Sequence, residues 1–248
     1  MTRRYALLGF FALAGVAFAD DALPKAETIL DRYVQVTGGK AAYEKRKNEI
    51  ATGTMEVAAA GIKGTVTRYA AAPDKSYVTT ELEGVGKVEQ GTIGGMAWDK
   101  NPMLGPRVKS GEEKAQALRE GLFNGPLHWR DLYSKVETVG VETIDGEECY
   151  KVVQTPSEGK PETTYYSKKT GFAVKTTTVA ASPMGDIPVE QTISDYKNFD
   201  GIMMATKMVQ KAAGQELMFT IQSVKVNTEI PADRFDPPAD IKALAEKK

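Results

Sequence analysis

The chain has 248 residues, of which 42% are hydrophobic and 26% charged, and a formal net charge of −1. This composition excludes a disordered polymer, and a charge so near balance excludes a protein drawn to nucleic acid by its field. Cys149 is the only cysteine and His128 the only histidine, which excludes an intramolecular disulfide and leaves His/Cys metal centres and Ser-His-Asp chemistry without a partner set.

Arg3 and Arg4 open a positive segment, residues 5–16 are almost continuously apolar, and Ala17-Phe18-Ala19 forms an A-x-A step. That is the layout of a cleaved secretory leader, and the apolar run is too short for a membrane span. The mature chain is expected to start at Asp20, to carry no cysteine there for lipidation, and to reside in the periplasm.

In residues 24–36, Ala26, Ile29, Leu30, Tyr33 and Val34 recur at helical spacing, and Gly38-Gly39 ends the helix. The following run Lys45-Arg46-Lys47 reads as a solvated helix end. Residues 50–57 alternate, with Ala51, Gly53, Met55 and Val57 on one face and Thr52, Thr54 and Glu56 on the other. Ala60-Gly61, Pro73-Asp74, Gly84-Val85-Gly86 and Gly94-Gly95 divide further strands at 62–71, 76–82, 87–93 and 96–98. Prolines and glycine make 101–107 a loop. Ser110 with Glu113 three residues on gives a capping-box pattern, and Ala115, Leu118 and Leu122 share a helical face. Asn124-Gly125-Pro126 breaks that helix, and Trp129, Leu132 and Tyr133 cluster on a second.

A second block of strands follows at 135–144, 148–154, 162–167, 172–180, 188–198, 202–211 and 216–227, punctuated by Asp145-Gly146, Thr170-Gly171, Asp200-Gly201 and Ala213-Gly214. Leu217, Phe219 and Ile221 share one parity while Val224 and Val226 take the other, so a bulge is expected near Gln222-Ser223. The buried run around Cys149 reads as strand, with an inert thiol. The whole is mainly β (α+β): one domain over residues 20–248, a single strongly curved antiparallel sheet forming an unclosed β-barrel of about eleven strands with a helical lid. Its hollow is expected to be lined by Met55, Val57, Trp98, Met204, Met208 and Phe219, with Leu118, Leu122 and Trp129 from the cover. Residues 118–133 would form a mobile cover.

The order of these features resembles the periplasmic carriers that ferry acylated proteins to the outer membrane, the LolA-like lipoprotein-sorting superfamily. The resemblance rests on the amphipathic first helix, the hairpin with Gly64 and Pro73, and the step Ile93-Gly94-Gly95-Met96-Ala97-Trp98 with Asn101-Pro102. It continues through the helical insertion and the ending Arg234-Phe235-Asp236-Pro237-Pro238. It implies a cavity for acyl chains, a lipid or acylated-protein cargo, a membrane-bound donor or acceptor, and no cofactor. One position departs. The carriers have an arginine before the proline of the first long turn, thought to hold the lid shut, and here Ala72 stands before Pro73.

An acyl chain gains roughly 0.8 kcal/mol per buried methylene, so such a container needs no precise polar motif. The expectation is therefore a monomeric binding protein without catalytic residues. Two other classes stay open: an envelope sensor or protein-interaction module on the same fold, and, less favoured, an enzyme using Asp99, Glu56 or Arg68.

Overall fold

A computed structural model describes residues 22–247; the leader and its cleavage step lie outside the described residues. The chain opens with α1 (Ala26–Val36) and α2 (Gly39–Lys45). Then come β1 (Asn48–Val57), β2 (Ile62–Ala71), β3 (Lys75–Leu82), β4 (Gly86–Ile93), β5 (Met96–Asn101) and β6 (Gly105–Val108). A helical insertion follows: α3 (Gly111–Gly121), a 3-10 turn at Gly125–His128, and α4 (Trp129–Leu132). The second run is β7 (Tyr133–Ile144), β8 (Glu147–Pro156), β9 (Glu162–Ser167), β10 (Ala173–Ala180), β11 (Ile187–Phe199), β12 (Ile202–Ala212) and β13 (Gln215–Val226), and α5 (Ala239–Ala245) ends the chain.

The strands make one antiparallel sheet of thirteen, in the order β6-β5-β4-β3-β2-β1-β13-β12-β11-β10-β9-β8-β7. Two meanders are thus joined where the first strand pairs with the last. The sheet does not close: β6 and β7 are its edges. Those edges are consecutive in the chain, and the insertion runs from one to the other, so the helices span the seam of an open barrel. The thirteen strands exceed the expected eleven. One addition is β6, whose Pro106 opposite Lys100 read as a breaker but is tolerated on an edge strand.

The phase change in β13 is a bulge, as expected. Thr52 faces Ser223 and Gly53 faces Ile221, which leaves Gln222 as the extra residue. Gly53 is required there: a Cβ at this position would lie 2.1 Å from the Thr220 carbonyl oxygen. The bulge brings Val224 opposite Ala51 and Phe219 opposite Met55, so both parities of β13 serve one face.

Two apolar clusters hold the molecule. Ala26, Ile29 and Leu30 of α1 are buried with Trp129, Val152, Tyr166 and Ala173, which is the face that the helical spacing picked out. Fully burying a side chain the size of Ile29 or Leu30 contributes about 1.5–3 kcal/mol. The Tyr33 ring meets Tyr166 edge-on at 5.4 Å. Arg32 donates to the carbonyls of Lys168 and Lys169, both at 3.0 Å, and pins α1 to the β9–β10 turn. The second cluster joins Tyr77, Trp98, Phe235 and Ile241, so the C-terminal tail and α5 are part of the core.

Candidate ligand-binding hollow

Strand register builds the wall first. Met55 stands opposite Phe219, Phe219 opposite Met208, and Met208 opposite Ile193. Directly paired residues share a face, so four strands present one apolar rung. Asp195 takes a left-handed conformation, φ 56°. Beyond it Tyr196, like Ile193, still lines the interior.

Between this face and the seam-spanning helices lies a cleft of about 380 Å³. Ile193, Met204, Met208 and Ile221 line it from the sheet, Tyr33 from α1, and Leu122 and Phe123 from the end of α3. A second chamber of about 260 Å³ adjoins it under β3, β4 and α3, and shares Arg68 and Glu120 with it. A third, of about 270 Å³, is lined by Leu30, Trp129, Leu132, Tyr133 and Tyr166 and shares Tyr33, Arg119, Glu120 and Ile193 with the first. Glu120 is common to the walls of all three chambers.

The cover is tethered at its midpoint. Phe123 N–H donates to the Pro73 carbonyl at 3.0 Å, and Asn124 Nδ2 donates to the Tyr43 carbonyl at 2.8 Å. At its far end Trp129 Nε1 donates to Asp31 Oδ1 at 3.2 Å, and Arg130 grips both oxygens of the same carboxylate. The capping box does not form. Ser110 makes no side-chain cap bond, and the Glu113 carboxylate, which would complete the box, accepts from Arg107 instead.

Charges occupy the hollow as well. Glu49, 2% exposed, accepts from Arg46 on one oxygen and from Arg68 on the other. Arg46 therefore corrects the reading of Lys45-Arg46-Lys47 as a solvated end: its side chain is 6% exposed and its guanidinium lies 5.4 Å from the centre of the Phe123 ring. Burial lowers the pKa of both arginines. Arg46 Nε and Asn124 Oδ1 are buried with no hydrogen-bond partner. In the third chamber the Tyr133 hydroxyl donates to Glu162. Burial pushes the Glu162 carboxyl above the usual carboxylate range and the Tyr133 hydroxyl up with it.

Of the residues expected to line the hollow, Leu122, Met204 and Met208 come together in the first chamber and Trp129 lies in the third. Met55 and Phe219 share their rung without lining a chamber, and Val57 stands opposite Leu217 at the strand end. Leu118 is half-buried and lines none of the three chambers. Trp98 borders the second chamber, but its ring packs across Gly91 into the cluster with Tyr77, Phe235 and Ile241. Gly91 keeps that space: a Cβ there would meet the indole at 2.7 Å. Asp99 is held by Arg107 and Lys109, and Cys149 is fully buried with its thiol pKa raised by that burial. The sequence reading missed Tyr33, Ile193 and Glu49 as wall residues. Tyr33 and Ile193 had a signal in their apolar periodicity. Glu49 had none, since a charged strand residue usually faces water.

Among the described residues no helix is long and apolar enough to cross a membrane. No family model matches the chain, and no curated protein matches it in sequence. Solved structures do match its fold. A LolA superfamily protein from Nitrosomonas europaea aligns over 87% of this chain and 99% of its own, with TM-score 0.60 and 13% identity. A DUF1329 family protein from Desulfovibrio piger aligns over 85% and 97%, with TM-score 0.57 and 16% identity. A domain from Vibrio parahaemolyticus named for outer membrane lipoprotein sorting aligns over 85% and 97%, with TM-score 0.55 and 17% identity. The chain has the LolA-like fold, an unclosed antiparallel barrel with helices across its seam.

Proposed function

We propose that the protein is an exported container that holds acyl chains of a lipid or an acylated protein between its sheet and its helical insertion. The observation that supports this reading is the first chamber, walled by Ile193, Met204, Met208, Ile221, Leu122 and Phe123. Unbranched methionine chains adapt to flexible ligands, and burial of methylenes supplies the affinity. The insertion acts as a movable cover, because it is held by hydrogen bonds, ion pairs and side-chain packing without any strand pairing. Its partners are the cargo and a membrane-bound donor or acceptor.

Native mass spectrometry of the protein purified from the periplasm, followed by solvent extraction, tests this reading. A reproducible adduct that extracts as lipid or acylated peptide supports the container and names its cargo class. Bare mature protein that takes up no acyl probe would contradict it and favour an interaction module. The same spectrum shows whether the chain begins at Asp20.

A further inference from the structure

One carboxylate, Glu49, serves two guanidiniums, Arg46 and Arg68. Such a triad retains a unit of positive charge in a poorly solvated place, and a buried charge left short of partners is costly. The other charged side chains on the first chamber, Arg119 and Glu120 of α3, offset one another, and Tyr33, Tyr43 and Tyr196 are neutral there, so its walls carry three guanidiniums against two carboxylates. Exposed Asp200 acts on Arg46 from outside the hollow. Arg46 is 94% buried by its 6% exposure, and its Nε–H has no partner. Arg68 keeps 31% of its side chain accessible, and it lines both the first and the second chamber. Beside these donors begins the apolar wall of Leu122, Met208 and Ile221. A positive, donor-rich wall merging into an apolar one suits an amphiphile with one compact anion.

We propose that Arg46 and Arg68 form an anion site inside the hollow, which takes the carboxylate or phosphate that ends an acyl chain while the chain lies along the methionine wall. This rests on the container reading and adds the class of headgroup. The anion would accept from Arg46 Nε and from the Arg68 donors that Glu49 leaves free. A neutral alcohol of the same length would fill the apolar part alone.

The test is competition of dodecanoate, dodecyl phosphate and dodecanol against a neutral fluorescent acyl probe, at a pH of about 8 where a free carboxylate is ionised. The anions should bind about ten- to a hundredfold tighter than dodecanol, the range of a hydrogen bond to a charged group. A preference for dodecanoate would identify a free fatty acid as the source, and one for dodecyl phosphate a phospholipid-type headgroup. Arg68→Gln should erase the preference while dodecanol still binds, which also shows that the variant is folded. Glu49→Gln should strengthen anion binding by releasing both guanidiniums, an effect that a purely structural triad would not produce. Equal binding of anion and alcohol to the wild type, or an Arg68→Gln variant that keeps the preference, would overturn the anion site and leave the container intact. Failure of all three ligands to bind would overturn both.

Discussion

The Phe123 N–H donates to the Pro73 carbonyl at 3.0 Å, tying the end of α3 to the β2–β3 turn. The carriers that the sequence resembles have an arginine at the position of Ala72. Here the contact at that turn comes from the cover's own backbone, and Arg46 seats the Phe123 ring from beneath.

Removing the ring should therefore free the cover before it damages the sheet. Phe123 is 3% exposed, and truncating such a side chain to alanine costs about 3–5 kcal/mol. In Phe123→Ala, hydrogen exchange should quicken in α3 and the 3-10 turn while amides of β1 and β13 keep their protection. A uniform loss across the sheet would show that the cover is not a separable unit.

Leu122 and Leu118 should separate on loading. Leu122 lines the first chamber, so Leu122→Glu places a charge where the acyl chain would lie. Acyl-probe uptake should fall at least tenfold, the effect of about 1.4 kcal/mol, with a small change in melting temperature. Leu118→Glu should leave uptake much nearer the wild type. An unfolded Leu122→Glu would make that residue core rather than wall.

Glu162 should give stability a definite pH dependence. Its folded-state pKa is raised, first by burial, so the folded protein holds this proton more tightly than the unfolded chain does. The group's contribution is complete below the unfolded carboxylate pKa and is lost as pH rises through the raised value. Urea unfolding of wild type and Glu162→Gln should therefore shift in favour of the variant between acid and neutral pH. A constant difference across that range would refute the assignment.

The β1–β13 bulge should tolerate no side chain at Gly53. A Cβ there meets the Thr220 carbonyl oxygen at 2.1 Å, so Gly53→Ala should cost at least the 1–3 kcal/mol of about one overpacked core position. Gly140, with nothing within 4 Å of an added Cβ, is the control, and its alanine variant should stay within about 0.5 kcal/mol of wild type. Chemical denaturation measures both.

Much of the fold was legible because alternation and turn chemistry act locally. The face of α1, the hairpins and even the bulged residue of β13 follow from spacing, since a parity change in one strand must be absorbed somewhere. Of the residues expected at the hollow, Leu122, Met204 and Met208 lie on the first chamber and Trp129 on the third. What escaped depends on partners distant in the chain. Arg46 looks solvated until β1 brings Glu49 and β2 brings Arg68 to it. Trp98 looks like a wall residue until Gly91 and the C-terminal tail receive its ring. Glu113 looks like a capping partner until Arg107 outcompetes the helix end for its carboxylate. The β6 strand looks like a loop because its proline sits where only an edge strand accepts one.

The most direct measurement is paramagnetic broadening of isotope-labelled methionine methyls by a neutral amphiphile, the methyl ester of doxyl-labelled stearate. Met204 and Met208 line the hollow, whereas Met103 and Met184 are 87% and 78% exposed. If acyl chains occupy the hollow, the Met204 and Met208 signals broaden at stoichiometric probe while those of Met103 and Met184 stay sharp. Broadening confined to the exposed methionines, or equal across all of them, would mean that the chains bind the surface and that the hollow is not a container.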